Sequence, residues 1–260
     1  MNNAKNLFQE LEASMNQHPF LAANPVLKLI ENNQIDVART THTLAQYSIL
    51  PAKIVELLAR CRKRVEMWPD VYNELSVNIG EELGSKTGGI THYRILLRRL
   101  KEELGADFEN AISSPATKLF LDELFSAIAS KSPSFVAGIA YALEDSATPE
   151  LLRVAPMVNA FAKLIDQPLP IREETLEGKG MPIKVSTPEE GSALTLDDFW
   201  SMHVLDFEPG HRDRLAEALE KHLDQHSQET LEFRHGFEFV LTEMDKWWEA
   251  LATEDTKQPA

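Results

Sequence analysis

The stretch "SPSFVAGIAYALEDSATPELLRVAPMVNAFAKLI", residues 132–165, decides the fold class. Ser132-Pro133 supplies a helix N-cap followed by a proline at the first helical position. The residues from Phe135 to Leu143 are almost all apolar, which predicts a helix that is buried on most sides. A second helix is expected to follow at once, over the residues "ATPELLRVAPMVNAFAKLI".

The rest of the chain repeats this helical spacing of apolar residues. Further helices are predicted over 5–16, 25–32, 35–48, 51–67, 69–84 and 91–104, behind Ser114-Pro115, and near 196–207, 209–226 and 228–252. Long runs that alternate apolar and polar residues, as strands of a sheet would, are absent from the sequence. About ten helices in 260 residues predict an all-α helical bundle.

One segment interrupts this pattern. Residues 166–193 are rich in Pro, Gly and Glu and are long for a loop inside a compact domain. We expect an excursion or lid rather than a domain boundary, because about 67 following residues would otherwise have to form a separate core. The sequence therefore predicts a single all-helical domain over 1–260.

Charge and cysteine content narrow the classes of partner. A net charge of −15 argues against nucleic acid and anionic membranes, which bind surfaces rich in Lys and Arg. Cys61 is the only cysteine, so the chain cannot form an intramolecular disulfide, as is usual in reducing compartments. No apolar run has the length of a signal peptide or of a membrane span of about 18 residues. We expect a cytoplasmic protein.

Candidate ligands lie on either side of a glycine-rich break. In "VNIGEELG", residues 77–84, Glu82 shares a helix face with Asn78 and Ile79. Glu81 lies about 100° away, so Glu82 is the better candidate for an inward-facing carboxylate. "GSKTGG" then ends the helix, and His92 falls in the first turn of the next one. The alternative is that Glu81 and Glu82 are solvated and His92 caps a helix.

Glu144 is the next candidate, because it shares a helix face with Ala137, Ala140 and Tyr141. A buried carboxylate is unfavourable by several kcal/mol unless it is paired or binds a cation. Alternatively, Glu144 and Asp145 mark a frayed helix end.

A third cluster lies in "FWSMHVLDFEPGH", residues 199–211, which combines two histidines and two carboxylates with large apolar residues. His203 lies on the side of Phe199 and Trp200. The other members are Asp206, Glu208 and His211. In helical bundles, metal sites are built from such inward-pointing side chains on different helices.

The ordered series Glu82, His92, Glu144 and a late His/carboxylate/His cluster resembles the heme-oxygenase-like diiron oxidases and oxygenases. The likeness covers roughly residues 35–225 and rests on "NIGEELG", "GGITHYRILL", "AYALED" and "HVLDFEPGH". Its fold relatives include heme oxygenase, thiaminase II and the pyrroloquinoline-quinone synthase. The spacing of His203 and His211 is one residue longer than the family run, and a π-bulge could absorb the extra residue. Glu208 keeps the family's gap before the second histidine, and Asp206 is the alternative.

The resemblance implies a heme-oxygenase-like bundle and a non-heme diiron site that activates O2 as cosubstrate to oxidise an amine, an amino acid or a fatty acid. It implies Glu82 and Glu144 as catalytic carboxylates, and as metal ligands Glu82, His92, Glu144, His203, Asp206 or Glu208, and His211. Carboxylates and imidazoles without thiolates suit two Fe(II) ions, with Mn as an alternative. The Pro209-Gly210 pair is consistent with a break and a mobile late cluster. The expected partner is a small-molecule substrate, and a homodimer is compatible with the sequence.

Two other functions fit the same sequence. A metal-free or cofactorless relative would keep the fold and change the chemistry. A non-enzymatic helical interaction protein would use the Trp247-Trp248 helix or the acidic surface as its interface. In that case the candidate ligands would be scattered.

Overall fold

The computed structural model describes residues 3–181, 183–223 and 227–254. These residues form helices and turns, and none of them is in a strand. The prediction of an all-α helical bundle is thus confirmed. The helices are α1 Asn3–Met15, α2 Pro19–Ala22, α3 Pro25–Glu31, α4 Val37–Arg64, α5 Pro69–Glu82, α6 His92–Leu104, α7 Pro115–Ser130, α8 Pro133–Leu164, α9 Glu173–Leu176, α10 Pro188–Ala193, α11 Leu196–Met202, a π-helical segment His203–Phe207, α12 Glu208–Leu223 and α13 Ser227–Thr253.

Two pairs of predicted helices are each one long helix. Helix α4 runs through Pro51, and α8 runs through Pro149 and Pro156, so the predicted interruptions at 49–50 and near 147 are wrong. A proline removes one helical hydrogen bond and usually kinks or ends a helix. In α8 the residues on both sides of Pro149 are buried, including Ser146 and Leu151. Their packing holds the chain helical across the proline.

Helix α8 crosses α13 at an unusually short distance. A Cβ added to Gly138 would lie 2.0 Å from the carbonyl oxygen of Phe233, and one added to Gly236 would lie 1.9 Å from that of Phe135. Only glycine fits at these two facing positions, so the two helix backbones can touch. This contact fixes α8 in the middle of the bundle, as its apolar sequence predicts.

Several helix ends follow the sequence signals. Ser132 caps α8 by accepting a hydrogen bond from the Phe135 amide at 3.3 Å, and Thr91 does the same for α6 through the Arg94 amide. Gly105 ends α6 in a left-handed conformation with φ of 67°. The cap of Thr91 places His92 at the first position of α6, pointing into the bundle.

The late part of the chain is one helical run from Leu196 to Leu223, with a π-helical segment in its middle. The amide of Glu208 donates to the carbonyl oxygen of His203, five residues earlier, which absorbs one extra residue. The helix continues through Pro209 and Gly210, so the expected break at this pair is not present. Pro209 lies directly after the π-helical segment, where the regular α-helical hydrogen-bond pattern is already interrupted. The predicted end of this helix at 224–226 lies outside the described residues.

The 166–193 segment is packed against the bundle. The side chain of Asn159 makes hydrogen bonds of 2.8 and 3.1 Å with the backbone of Ile171, and Asp197 accepts from the amide of Arg172 and the hydroxyl of Thr175. A Cβ on Gly191 would lie 2.6 Å from the carbonyl oxygen of Thr87. The segment therefore covers the 84–90 turn and ends next to α11. Among the described residues, no helix combines the length and apolar character that a membrane span requires.

Candidate metal centre

Three of the candidate ligands meet between the end of α5, the start of α6 and the π-helical segment. The Nδ1 atom of His92 lies 3.2 Å from Oε1 of Glu82 and 3.1 Å from Nε2 of His203. The rings of His92 and Phe207 are stacked, with centroids 4.7 Å apart. His92 and His203 are buried and the Glu82 side chain is 11% exposed, so water has little access to this group.

The other three candidate ligands meet beside it, where α8 faces α12. The Nδ1 atom of His211 lies 3.2 Å from Oε2 of Glu144 and 3.7 Å from Oε2 of Glu208. Ligand atoms of Glu82, Glu208 and His211 lie within 4.8 Å of one another. The two groups therefore form one continuous cluster of three carboxylates and three imidazoles.

Neighbouring groups fix the orientation of two of the imidazoles. The Nδ1 atom of His203 donates to the carbonyl oxygen of Phe199 at 2.6 Å, because a carbonyl oxygen can only accept. The Nε2 atom of His211 lies 3.0 Å from the Glu81 carboxylate. In each ring, the other nitrogen faces the cluster. Metal-binding histidines are typically held in this way by a hydrogen bond from the opposite nitrogen.

Glu81 lies outside the cluster and links it to two cations. Its carboxylate is 2.9 Å from Nζ of Lys86 and 3.2 Å from a guanidinium nitrogen of Arg214. Burial opposes its ionisation, but the hydrogen bonds from His211 and Lys86 and the charge of Arg214 lower the pKa of Glu81 to about 2. Glu81 is therefore ionised near neutral pH, and its carboxylate accepts a hydrogen bond from Nε2–H of His211.

Asn78 joins this outer layer to the cluster itself. Its amide nitrogen donates to Oε1 of Glu144 at 3.0 Å, and its oxygen accepts from Arg214 at 3.1 Å. Asn78 is fully buried. The sequence placed Asn78 on the inward helix face beside Glu82. In the structure it links the Glu144 carboxylate to Arg214.

The protonation states of the cluster differ between its two halves. Burial opposes ionisation of Glu82, but the charge and hydrogen bond of His92 lower its pKa to about 2. Burial and the charge of His92 lower the pKa of His203 to about 3, whereas burial raises the pKa of Glu208. His211 is buried, yet the carboxylates of Glu144, Glu208 and Glu81 raise its pKa well above the ordinary value. Without a bound cation, a protonated His211 therefore supplies the positive charge that offsets these carboxylates.

The cluster fits a divalent metal for a further reason. The buried Nε2 of His92 has no hydrogen-bond partner among the described residues, and the buried Nδ1 of His211 has none beyond its ion pairs with Glu144 and Glu208. Leaving the His92 nitrogen unpaired is unfavourable by about 1–3 kcal/mol unless a ligand binds it. A set of carboxylates and imidazoles without thiolates matches iron or manganese.

The predicted site residues do not all belong to this cluster. Glu82, His92, Glu144, His203, Glu208 and His211 come together, but the Asp206 side chain is exposed and is not part of the cluster. The π-helical segment adds a residue between the two histidines, which turns Glu208 rather than Asp206 inward. Glu144 and Asp145 are buried inside α8 and do not mark a frayed end.

Two features were missed or misjudged from the sequence. Glu81 was judged to point away from the core, yet it is 3% exposed and contacts His211. Glu81 is the penultimate residue of α5, five residues before Lys86, and this position was the only signal for it. Trp247 and Trp248, expected at an interface in one alternative, are buried at 2% and 0% exposed. These tryptophans cannot form a docking surface.

A cavity of about 80 Å³ adjoins the cluster. Glu82, His92, Glu144, His203 and Glu208 line it on one side, and most of the remaining lining is apolar. That volume exceeds what one water molecule needs, so a small organic group can be accommodated. The cluster thus forms one side of this pocket.

A family model described as a domain of unknown function with a solved structure, DUF3865, matches residues 4–171. The chain belongs to the DUF3865 family. The matched part contains Glu81, Glu82, His92 and Glu144, whereas His203, Glu208 and His211 lie beyond it. The family description names no activity.

Two crystal structures of a CADD-like protein of unknown function from Nostoc punctiforme PCC 73102 are similar to this DUF3865 chain. The structure at 2.00 Å resolution is 28% identical, with a TM-score of 0.79, and covers 96% of each chain. The structure at 1.35 Å is 27% identical, with a TM-score of 0.73, and covers 96% of this chain and 94% of the other. The likeness thus extends over the late cluster that the family match leaves out. No curated protein matches the sequence.

Proposed function

We propose that this protein is a non-heme diiron oxidase or oxygenase of the heme-oxygenase-like kind, acting on a small organic substrate. The observation that carries the proposal is the convergence of six buried or nearly buried ligands from α5, α6, α8, the π-helical segment and α12. Three imidazoles and three carboxylates in one cluster supply enough donor atoms for two divalent cations. The residues were predicted from the sequence, and none of them is needed for a simple helical scaffold.

Each group of three would hold one cation. Glu82, His92 and His203 would bind the first, and Glu144, Glu208 and His211 the second. Phe199 and Glu81 would orient the imidazoles of His203 and His211, as their hydrogen bonds indicate. When bound, two Fe(II) ions would supply electrons for the reduction of dioxygen, and Mn(II) would fit the same ligands.

The cavity would hold the substrate against this centre. Leu96, Leu143, Leu151 and Phe199 contribute to its apolar lining. Such a lining excludes water and protects a reactive oxidant from side reactions. The cavity is better suited to a small molecule than to a polymer.

Anaerobic loading with Fe(II) tests the proposal. The full chain is incubated with Fe(II), desalted, and assayed for bound iron; it is then exposed to O2 while visible absorption and O2 consumption are followed. We expect close to two iron ions per chain and a transient absorption. Glu144→Ala and His211→Ala should each lose iron, because each removes a ligand from the second group.

Matched surface variants serve as controls. His235 and Asp206 are exposed, so His235→Ala and Asp206→Ala should bind iron as the wild type does. The proposal would be overturned if the wild-type chain did not retain iron. It would also be overturned if Glu144→Ala and His211→Ala retained as much iron as the wild type.

A further inference from the structure

A second polar site lines the cavity away from the candidate metal ligands. Helix α8 contributes Glu144, Ala147 and Glu150 to the lining, at successive turns of one helix face. Six residues of helix separate the two glutamates by about 9 Å along the axis. The cavity therefore has the metal cluster at one position and a further carboxyl group about two turns along α8.

Glu150 is buried but only partly satisfied. It is 4% exposed, and its Oε1 accepts a hydrogen bond from the indole nitrogen of Trp248 at 2.9 Å. No hydrogen bond or ion pair to its other oxygen, Oε2, occurs among the described residues. Burial raises the pKa of Glu150 to about 7, against the opposing hydrogen bond from Trp248. A carboxyl group in this position can accept a proton or a hydrogen bond from a ligand.

Tyr47 provides a second polar group in the same cavity. It lies on α4, is 6% exposed and lines the cavity together with Glu150. Its hydroxyl makes no hydrogen bond in the described part of the chain. Burial raises the pKa of Tyr47 well above the ordinary value, and the charges of Glu150 and Glu208 raise it further. The Tyr47 side chain therefore stays a neutral hydroxyl. Buried hydroxyl and carboxyl groups usually have partners, so a ligand is the natural candidate.

The other lining residues limit what that ligand can be. Among the residues that line the cavity there is no Lys or Arg, while the carboxylates include Glu82, Glu144, Glu150 and Glu208. An anionic group placed beside Glu150 would be repelled and would lack a counter-charge. A group that donates hydrogen bonds, and above all a cation, would be stabilised there.

We propose that Glu150 and Tyr47 form the recognition site for the amino group of a small amine substrate, whose apolar body lies along the cavity toward the metal cluster. This inference rests on the proposed function for the identity of the reacting end, since it assigns the substrate class of that same pocket. It selects amines from the range of amines, amino acids and fatty acids. Glu150 supplies the charge and Tyr47 a neutral hydrogen-bond acceptor.

Calorimetric binding of three six-carbon probes tests this assignment. Hexylamine, 1-hexanol and hexanoate are titrated into the full chain, both metal-free and loaded with Mn(II). We expect hexylamine to bind at least about tenfold more tightly than hexanoate, as one charge-assisted hydrogen bond would produce. 1-Hexanol should fall between the two.

Variants with minimal structural change locate the effect. Glu150→Gln keeps an oxygen that can accept from Trp248 and removes only the charge, so the preference for hexylamine over 1-hexanol should fall by about tenfold. Tyr47→Phe keeps the ring and removes the hydroxyl. It should weaken the binding of hexylamine, because the amino group loses a hydrogen-bond acceptor. Glu243→Gln is the control, because this buried glutamate pairs with Lys246 and does not line the cavity.

The outcomes separate this inference from the proposed function. Equal or tighter binding of hexanoate, an amine preference that survives Glu150→Gln, or no binding of any probe would overturn the amine site. A chain that binds hexylamine through Glu150 but retains no iron would support the amine site and overturn the diiron function.

Discussion

At the scale of single residues, the position of a glutamate on the helical wheel does not predict whether its carboxylate contacts the buried histidines. Glu81 and Glu82 are adjacent and point about 100° apart, yet both contact a buried histidine. Glu82 contacts His92 inside the cluster, while Glu81 contacts the His211 nitrogen that faces away from the cluster. Burial and charge partners, not the helical wheel alone, assign the two roles.

Glu81→Gln should weaken metal binding by about tenfold, because the His211 imidazole loses its anionic acceptor while the first group of ligands stays intact. Titration of the metal-free chain with Mn(II), followed by an electron paramagnetic resonance signal, measures the affinity. Glu66→Gln, at an exposed position ahead of the same helix, is the control. An unchanged Mn(II) affinity in Glu81→Gln would contradict a supporting role for Glu81.

Glu150→Gln should stabilise the protein more at pH 8 than at pH 5. Burial raises the folded-state pKa of Glu150 from 4.5 to about 7. Between these values the unfolded chain loses its proton first, so this residue lowers stability as pH rises and is most unfavourable above 7. Glutamine cannot ionise, so the gain should grow by on the order of 2–3 kcal/mol over this window.

Urea unfolding at the two pH values measures the gain. Asp145, whose pKa burial also raises to about 7, is present in both proteins, so its contribution cancels in the difference. The same stability difference at pH 5 and pH 8 would mean that burial does not raise the pKa of Glu150 above that of the unfolded chain.

At the scale of helices, the close crossing of α8 and α13 organises the bundle. Gly138 and Gly236 face the backbone of the opposite helix, and their missing side chains let the axes approach. The same helix α8 then carries Glu144 and Glu150 to the cavity. A shift of α8 would therefore disturb both the core and the candidate centre.

Gly138→Ala should destabilise the fold by about 1–3 kcal/mol or more, since the new methyl group would lie 2.0 Å from the Phe233 carbonyl oxygen. Gly80→Ala is the matched control in another helix, because the nearest atom to its added Cβ is the Ser85 hydroxyl at 4.0 Å. That control should be neutral or more stable by about 0.5–1 kcal/mol. Thermal unfolding of both variants measures these changes. A neutral Gly138→Ala would mean that α8 and α13 lie further apart at this position than the 2.0 Å between the added Cβ and the Phe233 carbonyl oxygen implies.

At the scale of the whole molecule, the candidate centre joins parts that are far apart in sequence. Its ligands come from residue 82 to residue 211, and the 166–193 segment lies over the turn that separates Glu82 from His92. A cation bound there would connect five helical segments. Such a cation would stabilise the folded chain as a unit, because the unfolded chain has no preformed site.

Mn(II) at about one hundred times its dissociation constant should stabilise the wild type by about 2.7 kcal/mol, a rise in Tm of roughly 5–10 °C. The shift should be smaller in His203→Ala and in Glu208→Ala, because each variant removes a ligand from one group, and it should persist in full in Asp206→Ala. Differential scanning fluorimetry with and without Mn(II) gives the comparison. A shift of equal size in all four proteins would indicate metal binding elsewhere.

The amino-acid sequence by itself determined the all-α class, most helix starts and the inward faces of Glu82, His92, Glu144, His203 and His211. Those features are local, because caps and the 3.6-residue period depend on neighbours along the chain. Only the tertiary structure decided that α4 and α8 run through their prolines and that Glu208 faces inward in place of Asp206. It also decided that Glu81 contacts His211 and that Glu150 lines the cavity. These outcomes depend on packing, on the π-helical segment and on partners more than sixty residues away, which no local pattern specifies.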